Sequence, residues 1–161
     1  MMENEQSLNK IIVREMVESD FDDLMEVWAS AELKHTPDPS EYKARFSQEI
    51  HNPDIHYVGA EVDGKIVGVM ITTDDGRKGW LSRLAVNPKY QRKGIAEKMM
   101  LESERILTSK GIRVFSCLIY EDNHMSIPLV QKLGYTGHEN VVYFMKRLDK
   151  KPEPGQHKDC N

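Results

Sequence analysis

One stretch, residues 84–96, constrains the fold and chemistry of this chain more than any other. It reads LAVNPKYQRKGIA in one-letter code. The pattern predicts a buried strand, an Asn-Pro turn, a basic loop and then a helix. Such a loop points several backbone N–H groups at one spot, where the positive end of the helix dipole adds to them. Gly94 lets an anion approach the main chain, and Arg92 and Lys93 add positive charge. The stretch therefore predicts a phosphate-binding site.

Composition excludes several classes of protein. The chain has 161 residues, 39% of them hydrophobic and 30% charged, which indicates one soluble domain with a real core. A net charge of -4 argues against nucleic acid as a partner, because phosphate contacts need a basic surface. No apolar run approaches the ~20 residues of a membrane span, and the first residues lack the features of a signal peptide. We therefore expect a cytoplasmic protein that binds neither nucleic acid nor membrane.

Cysteine and histidine usage predicts no disulfide and no metal. Cys117 falls in an apolar strand and Cys160 lies beside the last residue, so we expect neither to form a structural disulfide. The histidines have no metal-ligand spacing. A Gly-x-Gly-x-x-Gly or Walker loop is also absent from the sequence, which argues against dinucleotide and nucleoside triphosphate binding.

Hydrophobic periodicity predicts an α/β domain over residues 10–148, followed by a disordered tail at 149–161. Asp63 and Gly64 give the strongest hairpin signal in the chain. The element order β-α-α-β-β-β-α-β-α-β-β indicates a mixed, strongly twisted sheet of six or seven strands with flanking helices. The predicted strands are 11–16, 56–62, 65–71, 80–86 and 112–120, followed by last strands through Tyr135 and 141–145. Four helices are predicted: one after residues 19–20, one that begins near residue 40, one at 94–109 and a short one after residue 123.

The residues of the basic loop resemble a known signature. QRKGIA at 91–96 resembles the Q/R-x-x-G-x-G/A motif of the GNAT superfamily of N-acetyltransferases, and LAVNP before it is also similar to that family. The resemblance covers roughly residues 11–148, and the predicted element order is also that of the GNAT fold. It implies acetyl-CoA as co-substrate, bound in a wedge between the strands of Leu84 and Cys117. The pyrophosphate cradle would consist of Gln91, Arg92, Lys93, Gly94, Ile95 and Ala96.

The same resemblance implies roles for the main chain beside the cradle. Pantetheine would bond to the backbone at Val86, and the N–H of Leu84 would stabilise the oxyanion that forms when an amine attacks the thioester. Asn123 matches the start of the second CoA motif, N-x-x-A-x-x-x-Y, and would bond the pantetheine arm; its alternative role is a plain helix cap. Two positions depart from the motif. Val130 replaces the usual Tyr acid, and Pro128 would interrupt a helix that began at Asn123.

Proline at 128 leads to a specific structural expectation. Proline is tolerated in a first helical turn but costs ~3 kcal/mol in a helix interior. We therefore expect the helix to begin late, near Ser126 as its cap, with residues 123–125 as an irregular lip.

The residues that would act as general acid and general base are harder to predict from the sequence than the pyrophosphate cradle. Because Val130 cannot donate a proton, either the thiolate leaves unaided or another hydroxyl substitutes. Tyr120 is favoured slightly over Tyr143 for that role, since it ends the strand that lines the wedge. Candidates for the base that accepts the proton of the amine come from loops, and water can also relay that proton: Asp74, Asp75, Glu121, Asp122 and His35.

The leading interpretation is an acetyl-CoA-dependent N-acetyltransferase acting on a primary amine through a ternary complex. The second CoA motif, which residues 123–130 match only in part, slightly favours a small-molecule amine over a protein amino terminus or lysine. A non-catalytic CoA-binding sensor or regulatory module is the alternative of a different class, because the usual acid is missing. The oligomeric state is open, with a homodimer among the alternatives.

Overall fold

The computed structural model describes residues 10–33, 37–146 and 148. In it one five-stranded sheet is flanked by helices. Single 3-10 turns at Glu18–Asp20 and Pro88–Tyr90 precede the first and third helices. The strands are β1 (Ile12–Glu15), β2 (Ile55–Val62), β3 (Lys65–Asp74), β4 (Gly79–Val86) and β5 (Phe115–Ser116). The helices are α1 (Phe21–Ser30), α2 (Pro39–Glu49), α3 (Ile95–Ser109) and α4 (Ser126–Lys132).

The strands lie in chain order across the sheet, and only the last pairing is parallel. β2 and β3 form the hairpin predicted at Asp63 and Gly64, where both residues adopt the positive φ of a tight hairpin turn. α3 then crosses from β4 to β5, as a parallel pair of strands requires.

Each face of the sheet carries its own core. α3 packs on one face through Met99, Met100 and Leu107, all fully buried. α1 and α2 cover the other face with an aromatic cluster that includes Trp28 and Phe46. The Met pair of α3 therefore fills the core, as its helical spacing predicts.

The prediction of six or seven strands is wrong for this structure, which has five among the described residues. The predicted strand 112–120 is reduced to Phe115–Ser116, and residues 135 and 141–145 form no strand. The reason is a missing partner: a strand exists only through hydrogen bonds to a neighbour, and the outer edge of β5 has none in the described chain. The apolar sequence of 141–145 is typical of a strand, but sequence preference alone does not supply a pairing edge.

The late start of the last helix is confirmed. α4 begins at Ser126, so Pro128 falls in its first turn, where its missing N–H costs nothing. The capping residue differs from the prediction, because Met125 is the N-cap and Ser126 is already in the helix, its N–H donating to Asn123 Oδ1 at 3.0 Å. The tail expected at 149–161 and His35 lie outside the described residues.

Candidate functional site

A cleft opens where β4 and β5 separate. The two strands pair only at Gly79–Phe115 and Trp80–Ser116, at the start of β4. Beyond Trp80 the side of β4 that faces β5 has no strand against it in the described chain. The resulting cleft has a volume of about 810 Å³ and is bounded by β4, residues 117–120, the start of α3 and α4. Its size is within the range of small-molecule sites.

A β-bulge shapes the β4 wall of this cleft. Ser82 pairs with Ile71 and Ala85 pairs with Val69, so Arg83 and Leu84 together stand opposite a single residue of β3. Arg83 adopts a left-handed conformation with φ 53°. A bulge removes residues from the regular ladder and re-aims the backbone locally. Leu84, predicted as the oxyanion donor, lies in this bulge and lines the cleft.

The basic loop forms the predicted turn into a helix. Asn87 Oδ1 accepts the Lys89 N–H at 3.0 Å and closes the turn after β4. Gly94, with φ 76°, is the N-cap of α3, and because glycine has no side chain it leaves the first N–H groups of the helix without a side-chain cap. Apart from Gly94 itself and its two neighbours in the chain, no described heavy atom lies within 4 Å of the position that a Cβ on Gly94 would occupy. The first turn of this 15-residue helix is therefore open to an anion approaching along the cleft.

Five of the six residues of the predicted cradle line the cleft, and Lys93 does not. Arg92, Gly94, Ile95 and Ala96 line the cleft. Gln91 also lines it, but its Nε2 donates to the carbonyl oxygen of Val86 at 3.1 Å, so the amide fixes the loop to β4. The Lys93 ammonium instead lies 5.4 Å from the centre of the Tyr90 ring, and Lys93 is not among the residues that line the cleft.

The opposite wall brings together some of the predicted residues and leaves out others. Tyr120, Asp122 and Asn123 line the cleft together with Val130, which presents no hydroxyl where the second motif usually has one. Asn123 Oδ1 accepts the Ser126 N–H at the start of α4, which agrees with its alternative role as a helix cap, and Asn123 also lines the cleft. Tyr143 does not line the cleft; its side chain is 63% exposed in the C-terminal segment.

Two of the predicted bases have structural roles instead. Asp74 forms an ion pair with Lys110, and its side chain is only 2% exposed. Asp75 accepts the backbone N–H groups of Arg77 and Lys78, which lowers its pKa. Neither residue lines the cleft, whereas Asp122 does.

Three residues for which the sequence predicted no role in the site also line the cleft. Glu32 and Arg83 lie at the end near α1, and the Arg83 guanidinium stacks 4.4 Å from the centre of the Trp28 ring. Burial lowers the pKa of Arg83. Cys117 lies on the β5 side, and burial raises the pKa of its thiol. Cys117 belongs to the strand that was expected to line the wedge, whereas no sequence pattern marks Glu32 or Arg83. The bulge that places Arg83 depends on the register of two strands.

Among the described residues no three His, Cys, Asp or Glu side chains are grouped so that they could hold a metal ion. In the same part of the chain, every helix is too short or too polar to cross a membrane.

Comparison with known families decides the identity of this fold and site. The sequence model of the Acetyltransferase (GNAT) family matches residues 16–135, which span the bulge, the cradle and α4. The chain belongs to the GNAT family of acetyltransferases. Its relatives include an acetyltransferase of Photorhabdus laumondii subsp. laumondii, 31% identical over 138 residues that cover 84% of this chain and 94% of the relative.

Solved GNAT structures share the fold. AAC(6')-Iy, in complex with the bisubstrate analog CoA-S-monomethyl-acetylneamine, superposes with a TM-score of 0.75 at 20% identity, covering 86% of this chain and 99% of that protein. The paia N-acetyltransferase of Thermoplasma acidophilum, in complex with coenzyme A, gives a TM-score of 0.70 at 24% identity, covering 82% and 93%. This chain is thus an N-acetyltransferase, as the resemblance of its basic loop implied.

Proposed function

We propose that this enzyme transfers the acetyl group of acetyl-CoA to the primary amine of a small molecule. One observation carries the proposal: the bulge at Leu84, Val86 and the open start of α3 all line one continuous cleft. A thioester held along β4 with its pyrophosphate at Gly94 would therefore present its carbonyl to the bulge. Acetyl-CoA supplies the activated acyl group.

The residues of the cleft fit the parts of CoA. The pyrophosphate would be held by the backbone N–H groups at the start of α3 and by the guanidinium of Arg92. Gly94 would allow the closest approach, since the space where its Cβ would be is open. Pantetheine would run along β4 at Val86, with Asn123 on the opposite wall. Lys93 would contribute only long-range charge.

The chemistry requires three functions of this chain. The Leu84 N–H would stabilise the negative charge that develops on the carbonyl oxygen during attack. Tyr120, which lines the opposite wall, would protonate the departing thiolate, because Val130 stands where the motif usually has the Tyr acid. Asp122 lines the same cleft and is the candidate to accept the proton of the amine, directly or through water. Attack would occur directly on the thioester, in a ternary complex.

A small acceptor is favoured by the far end of the cleft. Leu33, Glu32 and Arg83 bound it, so the acceptor would meet both an acidic and a basic side chain. AAC(6')-Iy is an aminoglycoside N-acetyltransferase and was solved with the bisubstrate analog CoA-S-monomethyl-acetylneamine, which also supports a small amine. A protein amino terminus or lysine is the second candidate, and the acceptor panel below separates the two.

The test measures binding and turnover separately. Native mass spectrometry of the purified protein should show a one-to-one complex with CoA. Thiol release from acetyl-CoA is then followed with aminoglycosides, polyamines, amino acids and peptides with free amino termini. Turnover confined to small amines supports the proposal, whereas turnover only with peptides assigns the second candidate. Absence of thiol release with every acceptor would contradict it.

A matched pair of glycine variants tests the cradle. Gly94→Asp should weaken CoA binding at least tenfold, because it places a carboxylate where the pyrophosphate would lie and a lost charge-assisted contact is worth about 1.5–3 kcal/mol. Gly76→Asp is the control, since Gly76 also has a positive φ and open space but lies in the turn between β3 and β4. Calorimetric titration with CoA checks both. Unchanged affinity in a folded Gly94→Asp protein would refute the cradle.

A further inference from the structure

The guanidinium of Arg83 belongs to the end of the cleft near α1, and packing sets its position. Its carbon Cζ lies 4.4 Å from the centre of the Trp28 ring, and Trp28 is fully buried. The backbone of Arg83 is fixed as well, by the bulge between β3 and β4 and by its left-handed φ of 53°. A planar guanidinium that is already held in place loses little side-chain entropy when it binds a ligand. Arg83 is therefore preorganised for recognition.

Two buried tyrosines lie close enough to Arg83 to affect its pKa. The hydroxyls of Tyr42 and Tyr57 form a hydrogen bond with each other. Burial raises the pKa of both, so both are neutral phenols at neutral pH. The Tyr57 hydroxyl also donates to the Glu49 carboxylate at 2.5 Å, and that carboxylate pairs with Arg45 at 2.6 Å. The tyrosines thus supply hydrogen-bonding oxygens but no negative charge.

Arg83 consequently brings a positive charge into a partly buried region of the cleft. Burial lowers its pKa, and the charge of Arg45 acts in the same direction, but arginine stays protonated in proteins. Where water is partly excluded, opposite charges attract more strongly and like charges repel more strongly. A ligand that places a carboxylate at this guanidinium would be favoured, and a ligand with several ammonium groups would be disfavoured.

The acidic residues of the cleft weigh less than Arg83 at this end. Glu32 and Asp122 also line the cleft, but both are exposed to solvent, whereas Arg83 is half-buried. Salt screens exposed charges over a distance of about 10 Å and screens partly buried charges much less. Glu97, at the start of α3, pairs with Lys132 at 2.7 Å. The charge that a ligand meets most strongly beside the bulge is therefore positive.

We propose that the acceptor is a free amino acid or a close derivative, a small primary amine whose carboxylate pairs with the Arg83 guanidinium. The fork of N–H donors on arginine matches a carboxylate through two parallel hydrogen bonds. Leu84 is the next residue in the bulge and would hold the thioester carbonyl, so an amine a few bonds from the bound carboxylate would reach it.

This inference rests on the proposed function and names the substrate class of the same site. The reaction is unchanged: the bond from nitrogen to the acetyl carbon forms, the carbon–sulfur bond breaks, the amine loses a proton and the carboxylate is not consumed. Arg83 would thus determine specificity, and it would act neither as acid nor as base.

The first test compares amines that differ only at the carboxylate. Thiol release from acetyl-CoA is measured with the standard amino acids and their α-carboxamides, with 4-aminobutyrate beside 4-aminobutanamide, and with neamine as a polycation. For its best substrate the wild-type enzyme should prefer the acid over the amide at least tenfold in kcat/KM, because the amide loses a charge-assisted pair. Equal turnover of acid and amide, or a preference for neamine, would overturn this inference alone. Absence of release with every amine would overturn the proposed function as well.

Substitution of Arg83 tests whether this residue sets the preference. Arg83→Gln should raise the KM of the preferred amino acid about ten- to a hundredfold, with a much smaller effect on kcat, and should bring acid and amide within about threefold of each other. Arg83→Lys keeps the charge but loses the fork, so it should keep only part of the preference. Arg77→Gln, an exposed change in the turn between β3 and β4, is the matched control and should leave the preference unchanged.

Calorimetric titration with CoA and the Tm of each variant separate a loss of acceptor recognition from a damaged fold or cradle. A preference for the acid that survives in a folded Arg83→Gln protein would overturn the role of Arg83. If that variant does not fold, Arg83→Lys decides, and a ratio of acid to amide equal to that of the wild-type enzyme would overturn it.

Discussion

At the scale of single residues, the site depends on the conformation of Arg83. A left-handed backbone is unfavourable for a residue with a Cβ, by roughly 1–2 kcal/mol, so it persists only where the surroundings impose it. Here the register between β3 and β4 imposes it, because two residues of β4 stand opposite one of β3. The result is a backbone at Leu84 that departs from the sheet where the cleft begins.

The proposed mechanism depends most directly on the hydroxyl of Tyr120. Tyr120→Phe should lower kcat at least tenfold, because a general acid contributes typically about 10²–10⁴-fold. Val130→Tyr in the Tyr120→Phe background should restore part of the loss, since it returns a hydroxyl to the other wall. Tyr143→Phe is measured beside them and should stay within about twofold. A loss of less than about threefold in Tyr120→Phe would mean that the thiolate leaves unaided.

Substitution of Cys117 tests whether the acetyl group passes directly from CoA to the amine or through an acetylated cysteine. The thiol lines the cleft, but burial raises its pKa, so less of it is thiolate at neutral pH. Cys117→Ala should therefore keep kcat within about threefold. Intact mass after incubation with acetyl-CoA alone should show no acetyl adduct on the wild-type protein. An adduct that disappears in Cys117→Ala, together with collapse of kcat, would indicate a covalent intermediate.

The sequence predicted which loop residues line the cleft better than it predicted the position of the candidate acids and bases. Gly94 and Arg92 lie where the loop pattern placed them, because a turn into a helix is a local feature. Asp74 and Asp75 do not line the cleft and have other partners. The position of a loop in the sequence does not determine at which end of the sheet the loop lies. Arg83 was missed for a related reason: a bulge is a property of two strands in register.

At the scale of elements, Asp20 joins the first strand to the first helix. Its carboxylate accepts two bonds from the Arg14 guanidinium, at 2.7 and 3.0 Å, and one from the Val17 N–H. Arg14 also donates to Glu61 on β2 at 2.8 Å. Burial alone would raise the pKa of Asp20, but the bonds from Arg14 and Val17 outweigh it and lower the pKa.

This network predicts a stability loss that depends on pH. Asp20→Asn should lower the free energy of unfolding by about 1.5–3 kcal/mol at pH 7, since hydrogen bonds to a charged group are lost. A lowered pKa means that the stabilisation is present above the unfolded value of about 3.9 and is lost as pH falls through the folded value. Urea denaturation at pH 7 and near pH 3 should therefore show a difference that shrinks in acid.

The control for that measurement is Asp22→Asn, an exposed change in the first turn of α1. It should change the free energy of unfolding by less than about 0.5 kcal/mol. A difference between wild type and Asp20→Asn that is equal at both pH values would show that the ionised carboxylate does not stabilise the fold.

Elements formed by local signals were predictable, and those that need a distant partner were not. The hairpin at Asp63 and Gly64 and the helix α3 match the sequence within a residue or a few. The strand expected at 112–120 survives only where β4 reaches it, at Phe115–Ser116. The strand expected at 141–145 is absent for the same reason, because its pairing edge is not supplied within the described part of this chain.

At the scale of the whole molecule, the cleft separates two parts that CoA would join. One wall is β4 with the start of α3, and the other is the chain after β5 with α4. The two walls share strand pairing at only two positions, Gly79–Phe115 and Trp80–Ser116. α4 contains no fully buried residue, so the wall that includes α4 is held to the fold more weakly than the wall formed by β4 and α3. A ligand that contacts both walls should therefore stabilise α4 more than the rest of the fold.

This leads to a prediction for a series of ligands. At a hundred times its dissociation constant, CoA should add about 2.7 kcal/mol of stability, which corresponds to a rise in Tm of roughly 5–10 °C for a domain of this size. Dephospho-CoA retains the pyrophosphate and should give a similar rise at equal saturation. Pantetheine lacks the pyrophosphate that the open start of α3 would hold, so at the same concentration it should produce almost none.

Amide exchange locates the effect on the molecule. With CoA bound, exchange should slow in residues 92–97, at the cradle, and in residues 123–132, which contain Asn123 and α4. It should change little in α1 and α2, apart from the end of α1 that borders the cleft. Gly94→Asp should lose both the rise in Tm and the protection, whereas Gly76→Asp should keep them. Equal stabilisation by CoA and pantetheine, or protection of the cradle without α4, would mean that the ligand does not bridge the two walls.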